Sequence, residues 1–105
     1  MCHTMNNFEN IPDERTVLLL ADLFAALGDP SRIKILAVLL DYEINVGDLA
    51  AAVGMSHSAV SHQLRTLRQL RIVRARKEGR EVYYCLDDEH IADLYQRGLA
   101  HVQHG

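Results

Sequence analysis

The stretch VGDLAAAVGMSHSAVSHQLRTLRQL, residues 46–70, holds two apolar-periodic runs divided by a glycine and a serine. In the first run Leu49 and Val53 stand one helical turn apart, and Gly54 ends it, because glycine enters the left-handed backbone that closes a helix at little cost. Ser56 is placed to cap the second run, HSAVSHQLRTLRQL, whose Val60, Leu64 and Leu67 recur with helical spacing and predict its inner face. A helix of about eight residues, a tight turn and a second amphipathic helix make a helix-turn-helix pattern.

Outward from this unit the period changes. IVRARKEGREVYYCL, residues 72–86, alternates in polarity and is rich in β-branched and aromatic types around KEGR, the pattern of a β-hairpin. A hairpin after a helix-turn-helix predicts a winged helix. On the N-terminal side, GDP at 28–30 ends one helix and starts another, through Gly28 as stop, Asp29 as cap and Pro30 in the first turn. The helix after it should turn Ile33, Leu36 and Leu40 inward. The helix before it, RTVLLLADLFAALG from Arg15, carries one stripe of Val17, Leu20, Phe24 and Leu27 and another of Leu19, Leu23 and Ala26. A surface helix of a small monomer needs one stripe, so the second predicts a partner chain. A last helix runs from about Glu89 to Gln103. Its Gly98 would let a second copy approach, with Ile91, Leu94, Tyr95 and Val102 in the seam. The fold expected is mainly α with a β-hairpin, a winged helix-turn-helix that is homodimeric through its first and last helices. Residues 1–14 are polar and aperiodic and read as a flexible arm, with residues 15–105 as the single domain.

The chain has 105 residues, 49% of them hydrophobic, which gives a modest core that gains from oligomerisation. MCHTMNNFENIPDE lacks the cationic region and apolar run of a secretory signal, and no apolar stretch approaches the ~18 residues of a membrane span. A cytoplasmic location is expected, with Cys2 and Cys85 as free thiols.

The net charge of −3 is unevenly spread. Residues 65–80 hold seven cations (Arg65, Arg68, Arg71, Arg74, Arg76, Lys77, Arg80) against Glu78 alone, a local +6; four cations and thirteen acids elsewhere carry −9. Leu49 to Lys77 contains no Asp or Glu. An ordinary solvated face mixes signs, so this block predicts a nucleic-acid surface. Opposite the buried stripe of the second helix lie Ser58, Ser61, His62 and Arg65, with Gln63 at the flank, side chains suited to base edges in the major groove. Arg76, Lys77 and Arg80 are expected at the hairpin tip, in reach of phosphates. The partner expected is double-stranded operator DNA.

The last helix carries a different chemistry. Asp88 and His90 stand at its start, His101 and His104 at its end, all of types that bind first-row metals. From 88 to 101 a helix rises ~20 Å, too far for one ion to be shared within a chain. Two copies packed antiparallel about a two-fold axis would bring Asp88 and His90 of one beside His101 and His104 of the other, forming two equivalent sites of three imidazoles and one carboxylate. Such sets suit tetrahedral Zn(II), and Co(II) can enter them. The same residues also suit a helix dipole, acids at the N-terminus and histidines at the C-terminus, so spacing alone leaves both readings open.

LGDPSRIKIL, VGDLA, SAVSHQLRTLR and GREVYYCL, in this order across residues 15–104, resemble the ArsR/SmtB family of metal-sensing bacterial repressors. Asp88, His90, His101 and His104 match the zinc- and cobalt-type ligand pattern of its last-helix subgroup. The resemblance implies that a metal-free dimer binds an imperfect inverted repeat and that metal lowers DNA affinity, so that efflux or sequestration genes are transcribed. Other members carry cysteines near the positions held here by Asn45 and Gly47, so arsenic, cadmium and lead become poor candidates. In nickel- and cobalt-sensing members the N-terminal amine and a nearby histidine complete a larger shell, which makes His3, with or without Cys2, a candidate extra ligand and Ni(II) an alternative ion; the other reading of His3 is a stray histidine in the arm. A metal-independent or thiol-responsive winged-helix regulator is the rival reading. No nucleophile-base spacing stands out, and four protein ligands leave no open coordination position, so no enzyme is expected.

Overall fold

The computed structural model describes residues 9–104. Its elements run α1 (Glu14–Leu27), α2 (Pro30–Leu39), β1 (Ile44–Asn45), α3 (Val46–Val53), α4 (His57–Gln69), β2 (Val73–Glu78), β3 (Glu81–Leu86) and α5 (Glu89–His104). Every helix begins on a polar side chain that takes an amide with no partner inside the helix. Asp13 accepts from the Thr16 amide at 3.0 Å, Asp29 from Arg32 at 3.0 Å, Asn45 from Asp48 at 2.8 Å and Ser56 from Ala59 at 3.1 Å. Asp88 accepts from the amides of His90 at 2.9 Å and Ile91 at 3.4 Å.

Gly54 closes α3 at φ 70°, as its place in the sequence predicts. Helix α4 ends in the same way on a residue with a side chain. Arg71 takes φ 58°, its amide donates to the Arg68 carbonyl at 3.0 Å, and the Ile72 amide donates to the Leu67 carbonyl at 2.9 Å. This pair of bonds turns the chain from the helix-turn-helix into the wing.

The core is apolar throughout among the described residues. Leu49 of α3, Val60, Leu64 and Leu67 of α4, Ile35, Leu36 and Leu39 of α2, Ile72 and Val73 at the wing's base and Ile91 of α5 all lie within it. Two details differ from the sequence reading. Helix α2 buries Ile35, Leu36 and Leu39 and leaves Ile33 42% exposed, with Leu40 half-buried. It is apolar on two sides, and contact with α3 and β3 selects the Ile35 side. The hairpin also gains a third strand, β1, paired antiparallel with β3 through Ile44–Tyr84 and Asn45–Tyr83, giving the order β1-β3-β2. Two residues are too few to show a strand period.

Neither apolar stripe of α1 is fully covered. Ala26 alone of that helix is buried, while Leu19 is 56% and Phe24 54% exposed. Between α1, α2 and α5 runs an apolar groove of about 370 Å³, lined by Phe24, Leu27, Ile33, Leu36, Leu94, Tyr95, Gly98, Leu99 and Val102. The Cα radius of gyration of 16.3 Å exceeds the ~13 Å of a self-contained domain of this length. No helix among the described residues is long and apolar enough to cross a membrane.

Candidate nucleic-acid interface and metal-ligand helix

Because Val60, Leu64 and Leu67 face the core, the opposite side of α4 faces solvent. Ser58, His62 and Arg65 are exposed along it and Ser61 is half-buried. Ser58 stays near the helix start, its hydroxyl 3.5 Å from that of Ser56. Gln63 is half-buried and its side-chain oxygen is engaged: the Arg32 guanidinium, reaching from α2, donates to it at 2.6 Å. Its placement is that of a brace between α2 and α4 more than of a free reading residue. The sequence could not show this, since the partners lie 31 positions apart.

In the wing, β2 pairs with β3 from Val73–Leu86 to Glu78–Glu81, with Gly79 at φ 61° in the turn. Lys77 and Arg80 are exposed beside that turn. Arg76 is not at the tip; it pairs with Tyr83, two registers back toward the core. Its guanidinium lies 5.2 Å from the Tyr83 ring centroid and is held by two carboxylates. Nε donates to both Glu43 oxygens at 3.1 and 3.2 Å, Nη2 donates to Glu43, and Nη1 donates to Glu78 at 2.8 Å. Hydrogen bonding to Arg76 holds the Glu43 carboxyl below the ordinary glutamate range, and the two carboxylates raise the Arg76 guanidinium. Glu43 escaped the sequence reading because it lies 33 residues from Arg76. Cys85 of β3 is half-buried and accepts from Arg74 Nε at 3.4 Å.

At the start of the last helix, Asp88 caps α5 and its carboxylate lies 3.4 Å from His90 Nδ1, so both donors already sit together. Partial desolvation pushes the Asp88 carboxyl up, but hydrogen bonds from His90 and from the His90 and Ile91 amides outweigh it and leave the group below the ordinary aspartate range. The His90 side chain is 89% exposed and unobstructed. His101 and His104 are exposed in the last turn of the same helix. Among the described residues, no three His, Cys, Asp or Glu side chains gather within one chain. The donor chemistry, one ionised carboxylate and three imidazoles, fits a borderline first-row ion. Asn45 and Gly47 supply a cap and a first turn for α3, with no thiolate. Cys2 and His3 lie outside the described residues.

Known proteins agree with this architecture. Residues 29–75 match the model for bacterial regulatory proteins of the arsR family. A transcriptional repressor SmtB homolog from Synechocystis sp. is 50% identical over 84 residues, covering 80% of this chain; the chain spans 64% of that relative's length. A cadmium resistance transcriptional regulatory protein CadC homolog from Staphylococcus aureus is 45% identical over 82 residues, 77% of this chain and 68% of the relative. The homodimeric winged helix-turn-helix DNA-binding domain of Mb0332 from Mycobacterium bovis superposes with a TM-score of 0.78 at 29% identity, over 93% of this chain and 96% of that one. On the strength of both the sequence match and the shared fold, the chain belongs to the arsR family of bacterial regulatory proteins.

Proposed function

We propose that this chain is a metal-responsive transcriptional repressor. As a metal-free homodimer it binds an inverted-repeat operator, and Zn(II), or Co(II), held at two inter-subunit sites releases it. The observation that carries this reading is the layout of α5. Asp88 and His90 are joined at its first turn, His101 and His104 are exposed at its last, and an open apolar groove lies alongside. An antiparallel pair of α5 helices would cover the groove and unite the two donor pairs in one step. The relative named for cadmium resistance supports metal response as such. The cap residue Asn45 and the first-turn Gly47, neither of them a thiol, favour a nitrogen-and-oxygen site on α5 over a thiolate site near α3.

On the DNA side, Ser58, Ser61, His62 and Arg65 would enter the major groove, while Lys77 and Arg80 of the wing would meet phosphates. Two recognition helices fit successive major grooves only when ~34 Å apart. Ligation between two copies of α5 would fix the angle between subunits and thereby move both copies of α4 off that spacing. By linkage, DNA must weaken metal binding by the same factor as metal weakens DNA binding. For His101→Ala the expected result is operator affinity close to wild type without metal and no release by zinc, read by fluorescence anisotropy. Zinc release undiminished in that variant would contradict the site. Competition among zinc, cobalt and nickel for release orders the ions, and a preference for nickel would bring His3 and Cys2 into the shell.

A further inference from the structure

Glu43 has no part in the function just described, yet it makes three of the four polar contacts to Arg76. Among the described residues, Arg76 is the one cation of the 65–80 stretch held in an ion pair with a carboxylate. The pair is built by the sheet. Arg76 and Asn45 both pair with Tyr83 and so share one face, and Glu43, two residues before Asn45, returns to that face. Arg76 therefore lies across Tyr83 with its fork turned away from the wing's outer edge and toward Glu43. Glu43 itself belongs to the α2–β1 connection, outside the hairpin.

Both partners remain substantially exposed, the Arg76 side chain at 48% and that of Glu43 at 37%. Exposed ion pairs add little to stability, so folding does not account for so complete an engagement of one guanidinium. A planar fork satisfied by carboxylates cannot at the same time give a bidentate contact to phosphate, which asks for the same donors in the same geometry.

We propose that Glu43 is a competitor of the DNA backbone for Arg76. On binding, Arg76 exchanges Glu43 for a phosphate through Nε and Nη2, keeping Glu78 on Nη1, which travels with the same strand. Glu43 is left uncompensated beside a polyanion and takes up a cation, offsetting one of the counterions that binding releases. The wing thus grips DNA less tightly, and with a shallower salt dependence, than its charge implies. Glu43 sets the overall grip in this scheme, because it lowers the sequence-independent part of the affinity about uniformly across sequences and leaves the α4 contacts untouched. The inference rests on the reading that the wing meets phosphates.

The test uses the full metal-free chain and a fluorescein-labelled mixed-sequence duplex of about 30 base pairs, long enough for a dimer spanning two half-sites, with anisotropy followed over a range of salt. Glu43→Gln should bind about 3- to 10-fold tighter, with a log–log salt slope steeper by about 0.9. In an Arg76→Ala background the same substitution should gain much less. Unchanged or weaker binding by Glu43→Gln overturns the exchange, as does an equal gain with and without Arg76, which would mean simple loss of a repelling charge. Lys77→Ala/Arg80→Ala keeps the two levels apart. No effect there sinks the wing contact and the exchange together, whereas weakened binding there with a silent Glu43→Gln sinks the exchange alone.

Discussion

Asp88 carries two duties that substitution can separate. It caps α5 through two backbone amides and it stands 3.4 Å from His90 as a prospective metal donor. Asparagine caps as well as aspartate but supplies no anionic oxygen. Asp88→Asn should therefore melt close to wild type and lose zinc affinity, whereas Asp88→Ala should lose both; differential scanning fluorimetry beside zinc titration distinguishes them, and an Asp88→Asn protein with full zinc affinity would remove the carboxylate from the site. Arg65 lies on the exposed face of α4 and takes no part in the proposed metal site. Arg65→Ala should weaken operator binding while zinc binding, followed by isothermal titration calorimetry, stays unchanged. The residue scale is also where contacts are least legible in the sequence. Ser58, His62 and Arg65 are exposed as their spacing predicts, but Gln63 is engaged by Arg32 and Arg76 by Glu43. Both partners come from distant parts of the chain, and no local periodicity announces them.

Among the elements, what was legible follows from how local the cause is. Caps and stops act within a few residues, so Gly28, Asp29, Pro30, Gly54 and Ser56 mark their helix ends in advance of any structure. Helix α2 is different, because apolar residues on two sides leave the choice between Ile33 and Ile35 to its neighbours. Strand β1 exists only because β3 offers it an edge. The end of α4 at Leu70 follows the run read from the sequence, but the left-handed position after it falls to Arg71 where glycine is usual. A side chain there costs roughly 1–2 kcal/mol in backbone strain, partly offset by the extra freedom glycine has when unfolded. Arg71→Gly should raise stability by about 1 kcal/mol, several degrees in melting temperature for a domain of this size. A lowered melting temperature would mean that the Arg71 side chain itself holds the turn.

At the scale of the whole molecule, α1 and α5 expose an apolar surface that one copy of the chain cannot cover, with Leu18, Leu19 and Phe24 on one helix and Val102 on the other all more than half exposed. Burying such surface is worth about 25 cal/mol per Å², and the family relative from Mycobacterium bovis is a homodimer. The doubled stripe of α1 and the split donor pairs of α5 are thus the two features that support the proposed homodimer, both present in the sequence; how two copies would cross is decided by packing between them. The central claim, that donors from opposite ends of α5 converge only across two subunits, is tested most directly by mixing two crippled chains. Asp88→Ala/His90→Ala and His101→Ala/His104→Ala should each bind no zinc as homodimers. Unfolded and refolded together, they form mixed dimers in which one site has lost all four donors and the other keeps all four. Zinc binding should then return at about a quarter of the wild-type stoichiometry for random pairing in a two-fold dimer. Failure of the mixture to regain any zinc binding, with mixed dimers shown to form, would contradict the claim.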